Sequence, residues 1–180
     1  MKRVLLAALL GGIVVFAWGA LSHMVLPIGE MGISKVPGEQ ALIAALRENA
    51  PEAGTYLIPA LEGVPQDQWP ASGPSAVLSW RPETSYGMGK NLVVEFASGT
   101  LAALIAAIVL CHAGAGVSLM RKGVLSMSLG VFAWLTLTVS HWTWYGISDG
   151  MLIGEGLDVA IGWLLAGLAM GALLGKRGGS

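Results

Sequence analysis

The sequence predicts an all-α integral membrane protein: a four-transmembrane-helix bundle, N-in/C-in, with a small α+β extracytoplasmic excursion between helices 1 and 2. Three observations carry this. Of the 180 residues 54% are hydrophobic and only 12% charged, against about 25% charged in an ordinary soluble domain. The apolar residues fall in long blocks rather than in amphipathic stripes. Lysine and arginine gather on one side of those blocks, and that side is the cytoplasmic one by the positive-inside rule.

Met1-Lys2-Arg3 is a short basic start, followed by apolar sequence. A cleaved secretory signal is the competing reading, with Ala17-Trp18-Gly19 as a poor cleavage site. The run is longer than the usual apolar region of about 7–15 residues, and it continues through Met24-Val25-Leu26. Residues 4–27 are therefore read as a first, uncleaved span.

Residues 28–91 are a different material, holding seven of the eight prolines, four basic and seven acidic residues. Gly38 to Arg47 has the pattern of a short helix, stopped by Pro51. Thr55–Ile58 and Ala76–Trp80 read as strands, with a turn-rich loop at 63–74 between them. Some 60 residues are marginal for an independent core, so this segment is expected to rest on the helix ends, with Trp69 and Trp80 as headgroup anchors.

Spans follow at 92–120, 124–147 and 151–175, each longer than the roughly 20 residues a bilayer needs. The links, Arg121-Lys122-Gly123 and Ser148-Asp149-Gly150, are short. Short links predict that the last three helices are antiparallel neighbours. Lys2, Arg3, Arg121, Lys122, Lys176 and Arg177 then share the cytoplasmic side, with no acidic residue among them.

With that threading, His23, Glu95, His141, Glu155 and Asp158 all lie in the outer leaflet, within roughly 10 Å of depth at about 1.5 Å per residue. They form the candidate ligand site. Facing supports convergence, because residues three, four and seven apart share a helix face. On that rule His141 joins Trp134, Thr138, Trp144 and Tyr145, while Asp158 joins Gly162, Leu165 and Ala169. Two imidazoles suggest a haem or a transition metal held by His23 and His141, with Glu95 or Asp158 in support. The plainer account is a buried, mutually satisfied polar network.

A second small-residue stripe on the last span, Gly156, Ala160, Gly167, Gly171 and Gly175, lies opposite Asp158. It reads as a helix-packing face turned outward, toward a homo-oligomer or a larger membrane complex. Trp142, Trp144 and Tyr145 sit where an interfacial aromatic belt belongs. Cys111-His112 stands apart in the inner half, and a single cysteine excludes an internal disulfide.

A net charge of -1 gives no reason to expect nucleic acid. The chain has no G-x-S-x-G, P-loop or dinucleotide fingerprint, so no catalytic residues are assigned. The leading functional expectation is a non-catalytic accessory or assembly subunit of a membrane complex, in the bilayer of a bacterial inner membrane. The alternatives are an outer-leaflet haem- or metal-binding redox protein, and a proton or small-solute conduit through Glu95, Glu155 and Asp158. Lipid or quinone binding belongs to the same cluster.

Overall fold

In the computed structural model, which describes residues 1–84, 87–114 and 116–175, the chain runs α1 (Lys2–Met24), α2 (Glu39–Asn49), β1 (Gly54–Ile58), β2 (Ala76–Trp80), α3 (Gly89–His112), α4 (Leu119–Tyr145) and α5 (Asp149–Gly175). Four of the helices, α1, α3, α4 and α5, are long and apolar enough to cross a membrane. Lys176 and Arg177 lie outside the described residues.

Each helix stops where its sequence says it should. Pro27 cannot continue α1, which closes at Val25 with its N–H on Leu21 O. Ser118 caps α4 by accepting from Arg121 N at 3.4 Å, and Gly146 ends it in the left-handed conformation at φ 68°. The α3–α4 link is therefore 113–118. The expected link, Arg121-Lys122-Gly123, is instead the first turn of α4. Lys122 is 2% exposed, and its Nζ lies 3.6 Å from where Gly175 would carry a Cβ. That is the C-terminal end of α5, where unpaired carbonyls favour a cation.

α1 sits between α3 and α5 and runs antiparallel to both. A Cβ on Gly11 would stand 2.7 Å from Met170 Sδ and 3.0 Å from Ala103 Cβ. Further along, Phe16 meets Phe96 edge-on at 5.6 Å. α5 in turn packs extensively on α4, whereas α3 and α4 share only a thin seam despite being consecutive. The expectation that the last three helices are neighbours in turn thus gives way to the order α3–α1–α5–α4. Small residues decide it: Ala7, Ala103, Ala106, Ala107 and Ala166, with Leu110 and Met170, make a core thin enough for close helix contact.

The stripe Gly156, Gly167, Gly171 is not turned outward. Gly156 lies on the Trp134 ring, Gly167 on Ser126 and on the Gly123 backbone, and Gly171 on Lys122 and Leu119; Ala160 is half-buried and Gly175 exposed. α4 covers this face, so it is no free surface for another copy.

α1 ends and α3 begins at one end of the bundle, the distal end, and α3 ends and α4 begins at the other. The strands pair antiparallel, Tyr56 opposite Leu78 and Ile58 opposite Ala76. The first part of the segment rests on the helices, with Gly32 against Gly150 and Ile28 and Met31 against Gly154. α2 and the hairpin make no substantial contact with the long helices. Among the described residues from 34 to 84 only Ala50 is buried, and its carbonyl accepts from Trp80 Nε1 at 2.8 Å. That bond ties the Trp80 indole to the segment itself rather than leaving it free as an anchor.

Candidate functional site

The distal half of the bundle contains a chamber of about 330 Å3, partly open to the surface. α1 contributes His23 and α5 contributes Glu155 and Asp158. Its roof is the stretch 28–33, which doubles back after Pro27 through short turns: Gly29 N donates to Ser22 O at 3.0 Å, Met31 N to Ile28 O at 3.3 Å and Ile33 N to Glu30 O at 3.1 Å. Gly32, at φ 77°, lets the roof lie directly on Gly150, and a side chain there would run into Ser148 and Met151. Ser148 Oγ fastens the same point by donating to Gly32 O at 3.1 Å, and accepts from Met151 N at 3.2 Å at the start of α5.

Beside the chamber, side chains of α1 and α4 donate onto α5. Trp18 Nε1 reaches across to Asp158 O at 3.0 Å, joining α1 to α5. From α4 a row at four-residue spacing donates onto α5: Trp134 Nε1 to Leu152 O at 3.0 Å, Thr138 Oγ1 to Glu155 Oε2 at 2.8 Å and Trp142 Nε1 to Asp149 Oδ1 at 2.8 Å. One carboxylate oxygen of Glu155 is thereby satisfied from outside the chamber. Asp158 differs. Its Oδ1 has no solvent access and, among the described residues, no hydrogen-bond partner.

His23 is exposed at the rim. Its Nδ1 lies 3.0 Å from Gly19 O and 2.9 Å from Ser22 Oγ. Nδ1 donates to Gly19 O or accepts from Ser22 Oγ according to the tautomer, and Nε2 makes neither contact. The His23 ring also lies against Gly29, which explains why the roof has no side chain at that position.

Comparison with protein-family models, curated proteins and solved structures finds no match. The geometry alone therefore sorts the candidate residues. His23, Glu155 and Asp158 line one chamber. Glu95 and His141 are exposed and outside it: the Glu95 carbonyl accepts from Ser98 Oγ at 3.0 Å, and His141 lies beside Tyr145 with ring centres 5.3 Å apart. His23 and His141 stand on α1 and α4, which make no substantial contact. Both imidazoles are exposed. Among the described residues, no group of three His, Cys, Asp or Glu is arranged to hold a metal ion.

The reason for His141 is specific. α5 follows the row Ser126, Gly130, Trp134, Thr138, Trp142, an i, i+4 ridge that winds slowly round α4. Stepping three residues from Thr138 reaches His141, and stepping four reaches Trp142. The packing takes the second step. Trp142, Trp144 and Tyr145 are 42%, 79% and 50% exposed at the distal end, and of these Trp142 has the additional bond to Asp149.

What sequence reasoning missed is the roof. Its signal was present as Ile28-Gly29-Glu30-Met31-Gly32-Ile33, two glycines among apolar side chains directly after a proline.

Thr138→Val should destabilise the protein by about 1–2 kcal/mol, because it removes the donor to Glu155 Oε2 while keeping the shape. Thr138→Ser should retain most of that stability. Denaturant unfolding in detergent measures both, and equal stability of the valine and serine variants would show that the bond has no role.

Proposed function

We propose that this protein is a non-catalytic accessory or assembly subunit of a membrane complex, with both termini cytoplasmic and residues 28–91 outside the plasma membrane of a bacterium. The threading is supported by Lys2, Arg3, Arg121 and Lys122, which belong to the first turns of α1 and α4 at the same end of the bundle. The partner is the extracytoplasmic part of another integral membrane protein.

One observation carries this reading. The outer segment keeps its apolar side chains in the open: Leu57 is 55% exposed, Ile58 49% and Trp69 46%. A leucine or isoleucine gains about 1.5–3 kcal/mol on full burial. This segment takes that gain neither from a core of its own nor from the helices. Exposed apolar surface marks contact with a protein or with a membrane, and we take it here as contact with a protein.

The test is native electrophoresis of membranes solubilised in a mild detergent. The chain should migrate in an assembly well above its own 18.6 kDa, with a second protein at fixed stoichiometry. Leu57→Asp with Ile58→Asp should release it while leaving it in the membrane. Migration as a monomer, with nothing co-purifying, overturns the reading.

A further inference from the structure

We infer that Glu95 is a docking point for a transmembrane helix of another protein, one that brings a lysine or arginine into the bilayer. The inference rests on the reading of this chain as a subunit, and it concerns a surface apart from the outer hairpin. α3 begins at Gly89, so Glu95 lies about 9 Å along it, at about 1.5 Å per residue. Beside it in sequence, Phe96 meets Phe16 of α1, and α1 runs on past that level to Met24. α3 has 24 residues, about 36 Å of helix, against a hydrocarbon core about 30 Å thick. Centred in that core, α3 puts Glu95 about 6 Å below the boundary. Its stem is shorter than that of lysine, which can carry a charge out to the interface.

An ionisable side chain at such a depth ordinarily turns into the bundle or pairs. Glu95 does neither. It is exposed, and among the described residues its carboxyl group makes no hydrogen bond or ion pair. Asn91 and Ser98, four residues before it and three after, share its face and are exposed too. The exposed residues around them, Leu92, Val94 and Leu101, are apolar, as a lipid-facing surface requires. A carboxyl group in hydrocarbon needs a donor or a countercharge, and polar side chains on transmembrane helices find these across helix contacts. Lysine or arginine supplies both at once, whereas lipid tails supply neither. A second copy of this chain fits less well. Lys90 and His23 belong to the end turns of α3 and α1. His141 stands about two turns distal to Trp134, which packs on Gly156, whereas Phe16 is level with the stretch of α5 beyond Gly162, where Trp18 packs.

The test uses the full chain in its own membranes, solubilised in a mild detergent and run on native electrophoresis. Glu95→Leu should lower the co-migrating partner at least about tenfold, as loss of a charge-assisted hydrogen bond does. The isolated variant should unfold at the same denaturant concentration as the wild type, because leucine suits a lipid-facing surface. A photo-crosslinking amino acid placed at Ser98 should join a partner transmembrane segment that contains lysine or arginine. Changing that residue to glutamate should release the partner, and combining the change with Glu95→Lys should restore it. Full retention of the partner by Glu95→Leu overturns the proposal, as does a crosslink to lipid alone, to a second copy, or to a segment without lysine or arginine. If Glu95→Leu does not fold, the crosslink and the charge exchange decide. A wild-type chain with no partner at all overturns the subunit reading and this inference together. Release by Leu57→Asp with Ile58→Asp, alongside retention by Glu95→Leu, overturns this inference alone.

Discussion

Gly167→Val is expected to force α4 and α5 apart and to cost about 3 kcal/mol or more, at the upper end of what overpacking a close-fitted interior does. A side chain at Gly167 would overlap Ser126 Cβ and come within 3.0 Å of both Gly123 Cα and Lys122 O. Two of those three obstacles are backbone, so no rotamer change relieves them; the helix axes must move. Such a movement also strains the donor row from Trp134 to Trp142, because each of its bonds spans the same interface. Gly19→Val supplies the control, since a side chain at Gly19 would meet nothing within 4 Å and should change stability by less than about 0.5 kcal/mol. Denaturant unfolding in detergent compares the two. Equal stability would mean that α4 and α5 are not in the close contact described.

Gly32→Val is expected to detach the roof while leaving the bundle intact. Valine at φ 77° costs roughly 1–2 kcal/mol in backbone strain alone. Its side chain would also run into Ser148 and approach Met151 N at 2.5 Å, adding about 1–3 kcal/mol. This strain is expected to act on a local opening of the roof. The amides of Met31 and Ile33, hydrogen-bonded within the roof, and of Gly29, bonded to Ser22 O of α1, should exchange at least about a hundredfold faster, since every 1.4 kcal/mol is tenfold. Amides in the middle of α1 and α5 should keep their rates. Hydrogen exchange followed by mass spectrometry reads both. Exchange that accelerates evenly along α5 would show that the roof and the bundle open as one.

Much of this architecture was legible in the sequence, and the reasons are physical. Length and apolar content mark the four long helices, and both expected strands are present, Ala76–Trp80 with the expected bounds and the first beginning one residue earlier, at Gly54. The α3–α4 link was misplaced because Arg121 and Lys122 look like loop residues, while the signal that mattered was a single capping serine, Ser118. The candidate site was legible in part. Depth along a helix follows from counting residues, and it put His23, Glu155 and Asp158 at one level. Azimuth does not follow so simply. Whether Thr138 continues to His141 or to Trp142 depends on the crossing of α4 with α5, which no single-helix pattern records. Glu95 was misjudged for a related reason: α3 presents Ala103, Ala106, Ala107 and Leu110 inward, and the outer start of that helix leaves Glu95 exposed.

The position of α5 between α1 and α4 has a consequence for biosynthesis. α5 is the last of the four long helices to leave the ribosome, yet it is the one that α1 and α4 both need, since those two make no substantial contact with each other. Until it enters the bilayer, α1 can pair only with α3, and α4 has just its thin seam with α3 to hold it. The bundle is therefore assembled from its latest part, and the chamber, whose two carboxylates both belong to α5, cannot exist on a nascent chain that has not yet delivered that helix.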